Sequence, residues 1–229
     1  MNQNTLSTQV LVQRTFINKV YGWMAGALMI TAIVALFTAS TPVLISTILE
    51  NRILFYALLI AELGLVFYLS AAINRMSVQT AITSFIGYSI LNGLTLSVVF
   101  IAFTQESLAS TFFVTAGTFG AMSIYGYVTK RDLTSIGNLC GMALIGLIIA
   151  SLVNIFFQNS ALYWITTYAG VLIFVGLTAY DTQKIKQLNS NIDANSESGE
   201  KAAIMGALAL YLDFINLFLM LLRIFGRRR

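Results

Sequence analysis

Histidine is absent from the sequence, proline and cysteine occur once each (Pro42, Cys140), and only 10% of the 229 residues are charged. Without histidine the chain lacks the usual general base, the usual transition-metal ligand and the usual switch near neutral pH, which leaves carboxylates to answer to pH. A single cysteine excludes an intrachain disulfide and a thiolate metal cluster. The scarcity of charge argues against a soluble domain, and nothing in the pattern indicates nucleic-acid binding.

What is present is apolar sequence in long runs. Hydrophobic residues make up 58% of the chain and the mean hydropathy is +0.82, the composition of an all-α, polytopic membrane protein. Such a protein has the lipid bilayer as its first partner. The net charge of +4 is then a topology signal, because Lys and Arg beside spans favour the cytoplasmic side.

Seven runs can be read along the chain, at residues 20–39, 53–72, 81–103, 108–127, 134–157, 164–181 and 203–224. A crossing needs about 20 apolar residues, and each run approaches or exceeds that. Residues 1–18 read as a polar cytoplasmic tail, 19–226 as one seven-helix domain and 227–229 as a basic tail. The first run is longer than a signal-peptide core and has no convincing small-residue cleavage site, so it is kept as a span. Its Gly22 and Gly26 form a face on which another helix could pack closely. Pro42 follows that run at a place where a missing N–H does no harm, and residues 43–49 suit a short interfacial segment. Tyr125 and Tyr127 suit a headgroup belt, Asp132 is placed to cap the helix after it, and residues 187–201 read as a flexible loop.

Orientation follows from the basic residues. Arg14, Lys19, Arg75, Lys130, Arg131, Lys184, Lys186 and Lys201 fall on the side of the N-terminus; Arg52, Arg223, Arg227, Arg228 and Arg229 fall on the other. The N-terminus is therefore expected in the cytoplasm and the C-terminus outside. The basic tail violates the rule, and a re-entrant last segment with six full spans would remove the violation. The odd number of spans and the lack of an internal repeat do not suggest an inverted-repeat transporter.

Few ionisable groups lie within or beside the spans: Glu62, Arg75, Asp181 and Asp213. An ionised Asp at the centre of a span costs roughly 2.5–3.5 kcal/mol, so Asp213 needs compensation. Gly206, Ala209, Leu210, Asn216, Leu217 and Met220 share its side of the helix, whereas Leu208, Tyr211, Leu212, Ile215 and Leu219 lie around the other. That division turns Asp213 toward protein. Glu62 near the middle of the second span is read in the same way, as an acid on an ion or proton path. Arg75 lies about 20 Å past Glu62 along one helix, too far to pair with it, and reads as an orientation charge. Asp181 ends the sixth run and reads equally well as an interfacial carboxylate or as a functional one. Spacing alone places Asp213 about 15 Å deeper than Asp181. Two carboxyls meeting in a dry core would share a proton and titrate as a unit, and with Asn side chains and carbonyls they would make a weak transit site for Ca²⁺.

Several strings carry a resemblance. They are Lys19-Val20-Tyr21-Gly22-Trp23-Met24-Ala25-Gly26-Ala27-Leu28, Ala61-Glu62-Leu63-Gly64, Leu91-Asn92-Gly93-Leu94-Thr95 and Tyr125-Gly126-Tyr127-Val128-Thr129-Lys130-Arg131-Asp132-Leu133. Two more are specific: Thr178-Ala179-Tyr180-Asp181-Thr182-Gln183-Lys184-Ile185 and Ala207-Leu208-Ala209-Leu210-Tyr211-Leu212-Asp213-Phe214-Ile215-Asn216-Leu217-Phe218. Together they cover nearly the whole chain, which resembles the bacterial branch of the Bax-inhibitor family, the transmembrane Bax-inhibitor-motif proteins. The resemblance implies a seven-helix bundle in the bacterial inner membrane, with the last helix surrounded by the other six, and a pH-sensitive cation leak, notably of Ca²⁺. It implies that Asp181 and Asp213 form a proton-sensing latch and a weak, transient calcium site, with Arg75 a third member that biases open against closed. It puts Glu62 on the ion path; Asp213, Asn216 and Asn92 are assigned to that path with it. Calcium and protons are the implied cargo, and no cofactor or enzymatic activity is implied.

The sequence bears on two other functional classes. A pair of late aspartates, one in Tyr180-Asp181, resembles the dyad of intramembrane aspartyl proteases. The pattern then fails, because Tyr211-Leu212 precedes Asp213 where those enzymes have Gly-x-Gly, and Pro42 as sole proline leaves no Pro-Ala-Leu. An interaction protein that modulates other membrane proteins, such as cell-death factors or a quality-control protease, also fits the family. The N-terminal tail and the 187–201 loop would be its docking elements, though neither holds a recognisable motif.

Overall fold

The computed structural model describes residues 3–188 and 196–229, with side chains from Thr15 onward. Eight helices are described: α1 (Gln3–Ser40), α2 (Pro42–Glu50), α3 (Arg52–Ala72), α4 (Val78–Ala102), α5 (Gln105–Val128), α6 (Thr134–Phe157), α7 (Ser160–Leu188) and α8 (Glu197–Phe225). Seven of them are long and apolar enough to cross a membrane, all but α2. The last is one uninterrupted helix of 29 residues, long enough to cross as a full span, with no break at which a re-entrant segment would turn back. It is also the most enclosed, with 72% of its apolar window buried against 11–39% in the others.

Local chemistry sets the helix ends. Pro42 starts α2 where its missing N–H is harmless. Asn51 Oδ1 accepts from Leu54 N at 3.0 Å to cap α3, and Ser77 Oγ accepts from Thr80 N at 3.1 Å to cap α4. Leu133, not Asp132, is the N-cap residue of α6 and gives no side-chain cap, while Asp132 Oδ1, one residue earlier, accepts from the Thr134 hydroxyl at 2.6 Å and from Thr134 N at 2.9 Å. The Thr134 hydroxyl and N–H hold the exposed Asp132 carboxyl below the ordinary aspartate range. Helix α1 reaches back to Gln3, so backbone helix extends into the stretch read as a tail.

The chain divides into two compact units. The first holds residues 1–104, 188–211 and 228–229, and the second 105–187 and 212–227, so α8 contributes to both. In the first unit α1, α3 and α4 pack together with α2. The close approach there is made from α4: a Cβ on Gly93 would stand 2.7 Å from Val34 Cβ and 2.8 Å from the Thr31 carbonyl. Gly22 and Gly26, read as the packing face of α1, meet nothing within 4 Å.

In the second unit the end of α7 clamps the α5–α6 turn. Gln183 accepts from Leu133 N through Oε1 and donates to the Arg131 carbonyl through Nε2, each at 2.8 Å. Lys186 Nζ donates to the Tyr127 carbonyl at 2.6 Å and lies over the Tyr127 ring. These side chains continue α7 two turns beyond the boundary expected at Asp181. Polar sequence there supplies anchors, not an ending. Gly126 and Gly137 let α5 and α6 press against the Ala179 backbone and the Tyr180 ring, directly beside Asp181. The loop expected over 187–201 is shorter, because Gln187 and Leu188 belong to α7 and Glu197 to Lys201 to α8; residues 189–195 lie outside the described ones.

Candidate functional site

Two acid sites stand out. The first lies in the second unit, where α7 and α8 bring Asp181 and Asp213 together. The Asp213 residue is 4% exposed and Asp181 is half-buried. The two carboxyls are near enough for each to feel the other's charge. Asp213 Oδ2 is shut from solvent and receives no N–H or O–H donor. Two carboxylates have no proton to share, so a direct bond between such groups forms only when one of them is protonated. Neither aspartate forms an ion pair within 4 Å among the described residues, although Lys184, one turn on, lies in the field of Asp181. The Cys140 thiol of α6 is in the field of Asp213 and presses on Gly176 of α7. The offset expected between the two aspartates disappears because α7 carries Asp181 inside the helix, seven residues before its end.

The second site lies in the first unit. Glu62 on α3 is 8% exposed and receives the Thr95 hydroxyl at 2.6 Å and Asn92 Nδ2 at 3.4 Å, both from α4. Asn92 Oδ1 in turn accepts from the Tyr211 hydroxyl at 3.2 Å, which fixes the amide's orientation. The Tyr211 hydroxyl is 2.7 Å from Thr31 Oγ1, which donates to the Ser89 carbonyl at 2.9 Å. Tyr88 completes the cluster, packing edge-on against Tyr211 with ring centroids 5.7 Å apart.

Sequence reasoning placed Tyr211 on the far side of α8 and missed its role. Tyr211 and Asp213 are two residues apart, so their side chains leave the helix about 200° apart. That far side is nevertheless buried: Tyr211 is 0%, Leu208 2% and Ile215 8% exposed. A division into small-polar and bulky faces detects a single protein-facing stripe, and it fails on a helix enclosed nearly all round. Thr31 and Thr95 were also missed; Thr95, one turn after Asn92, carried a usable signal.

Two other candidates stand apart from these contacts. Asn216 is half-exposed, its Nδ2 donates to its own helix at the Leu212 carbonyl (2.8 Å), and it lines an apolar groove of about 220 Å³ with Leu147, Phe174 and Met220. Arg75 lies in the turn past α3, exposed, and makes no ion pair among the described residues. Among the described residues no three Asp, Glu, Cys or His side chains converge as a metal site. Each acid site can offer hard oxygens to a cation, but too few for tight retention.

Comparison with known proteins gives this arrangement its lineage. The family model described as inhibitor of apoptosis-promoting Bax1 matches residues 13–229. The chain belongs to the Bax inhibitor family. Within that family it is similar to the inner membrane protein YbhL of Escherichia coli, 54% identical over 94% of this chain and 93% of the relative. It is also similar to a protein of Borreliella burgdorferi, 44% identical over 96% and 95%, and to one of Rickettsia prowazekii, 45% identical over 94% and 91%. With seven helices able to cross a membrane, this Bax inhibitor family member is a multi-pass bacterial inner-membrane protein.

Proposed function

We propose that the protein is a proton-gated cation leak that passes Ca²⁺, with Asp181 and Asp213 as its latch and Glu62 on the ion path. The observation that carries this reading is an Asp213 buried inside a span, its Oδ2 shut from solvent without a donor, in the field of Asp181 on α7, with Lys184 the basic group that acts on Asp181. With one proton between them the carboxyls tie α7 to α8. When the proton leaves, two like charges about 4 Å apart repel by about 4 kcal/mol at an effective dielectric near 20. The freed oxygens then become ligands that a passing divalent cation can use briefly. Low pH closes the latch and higher pH opens it. The basic residues favour a cytoplasmic N-terminus and an external C-terminus, a placement that reporters fused to each end would test.

The test of the leak is Ca²⁺ flux into vesicles containing only this protein, across a pH series, beside Asp213→Asn and Glu62→Gln. Flux should rise with pH in the parent and change in both variants. No flux from the parent, or flux untouched by both substitutions, would sink the proposal.

A further inference from the structure

The buried face of α5 carries Ser107, Thr111, Thr115, Phe119 and Ser123 at intervals of four residues. A hydroxyl on a helix ordinarily bonds to the carbonyl one turn back. Thr115 does so, donating to the Thr111 carbonyl at 2.7 Å. Ser107 is held by the C-terminal segment, accepting from Arg227 N at 2.8 Å. Thr111 and Ser123 do neither. Ser110 donates to the Ser107 carbonyl that Thr111 would ordinarily use, and the Thr111 and Ser123 hydroxyls are shut from solvent without a partner. Both residues are more than nine-tenths buried, and such groups in a native fold are commonly satisfied by water.

Phe119 sits between them on the same face. Its ring packs edge-on against Phe214 at 5.4 Å, and Phe112 packs on Phe214 from one side at 5.6 Å. Phe214 is the residue after Asp213, so a shift of α8 that separates the aspartates also displaces this ring. Apolar constrictions stop ions by drying out, while hydroxyls on either side hold water.

We infer that the Phe119–Phe214 pair is the barrier of the leak, a dry plug between two hydrated positions at Thr111 and Ser123 on the buried face of α5. The inference rests on the leak reading: the aspartates supply the trigger and the aromatic rings supply the closure. It makes Phe119 a determinant of conduction although it carries no charge.

Two measurements test it. In a Cys140→Ser background, Thr111→Cys and Ser123→Cys should react with a charged, membrane-impermeant thiosulfonate reagent, each from one side of the membrane. Phe113→Cys, on the exposed outer face of α5, serves as the lipid-facing control and should stay unreactive. Adding Phe119→Ala should open both positions to both sides. In vesicles, Phe119→Ala should raise flux several-fold at a pH where the parent is nearly closed, while Phe119→Leu, which keeps the site apolar and filled, should leave it near the parental level. A conducting parent whose flux ignores Phe119→Ala overturns the plug and leaves the latch standing. A parent silent at every pH sinks the leak reading instead, and thiols at 111 and 123 as inert as the one at 113 overturn the hydrated positions by themselves.

Discussion

The two buried acid sites are built on opposite terms. Glu62 is surrounded by donors: a threonine hydroxyl, an asparagine amide, and behind them Tyr211, which holds the amide and is itself bonded to Thr31. Asp213 faces another acid, and one of its oxygens is shut away with no donor. A satisfied carboxylate is a fixed part of a polar network, whereas an acid held only by a shared proton is held only while the proton stays. Under the proposed leak, the difference makes the aspartates the pH-dependent element and Glu62 a hydrogen-bonded group on the path.

Substitutions can break that comparison. The largest effect is expected from Asp213→Asn, which replaces the shared proton by a permanent amide donor and keeps the latch shut. Flux at high pH should fall by more than about tenfold, since losing about 1.4 kcal/mol of the opening drive is enough for that. Flux that still climbs with pH in this variant would remove Asp213 from the latch. Glu62→Gln should come next, lowering flux at every pH while preserving the shape of the profile; a profile shifted along the pH axis would make Glu62 a second sensor.

Tyr211→Phe sharpens the comparison by touching one site alone. It removes the donor to Asn92 Oδ1 and should cost about 0.5–1.5 kcal/mol of stability, read from denaturant or thermal unfolding in detergent. Its flux should keep the parental pH midpoint, because Tyr211 leaves α8 on the side away from Asp213. The smallest effect belongs to Asp132→Ala, which has no part in either site. Asp132 is bonded as a carboxylate by Thr134, so its contribution is present above the ordinary aspartate range and is lost as pH falls through its lowered value. A slight drop in thermal midpoint near neutral pH, vanishing in acid, is the expected result.

Much of the architecture was legible because span length and apolar runs report it directly. The fifth span, expected at 134–157, coincides with α6, and Asp132 binds its first residue from just outside the cap position. Asp213, Glu62 and Asn92 were legible as costly polar residues in apolar runs. The end of α7 was not, because Gln183 and Lys186 look like loop residues until their backbone partners on the α5–α6 turn and at the end of α5 are known. Gly22 and Gly26 carried the pattern for close packing, yet Gly93 carries the contact; small residues permit an approach without specifying which helix makes it. Tyr211 was hidden for a related reason, since its partners Asn92 and Thr31 come from distant helices.

The central claim is that one proton shared by Asp181 and Asp213 closes the path. Infrared titration of the protein in vesicles, with Ca²⁺ flux followed in the same preparation, tests it most directly. A protonated-carboxyl band should fade over the pH interval in which flux rises, and Asp213→Asn should abolish both changes. A band that fades in a different interval from the rise in flux, or that fades unaltered in Asp213→Asn, would contradict the account.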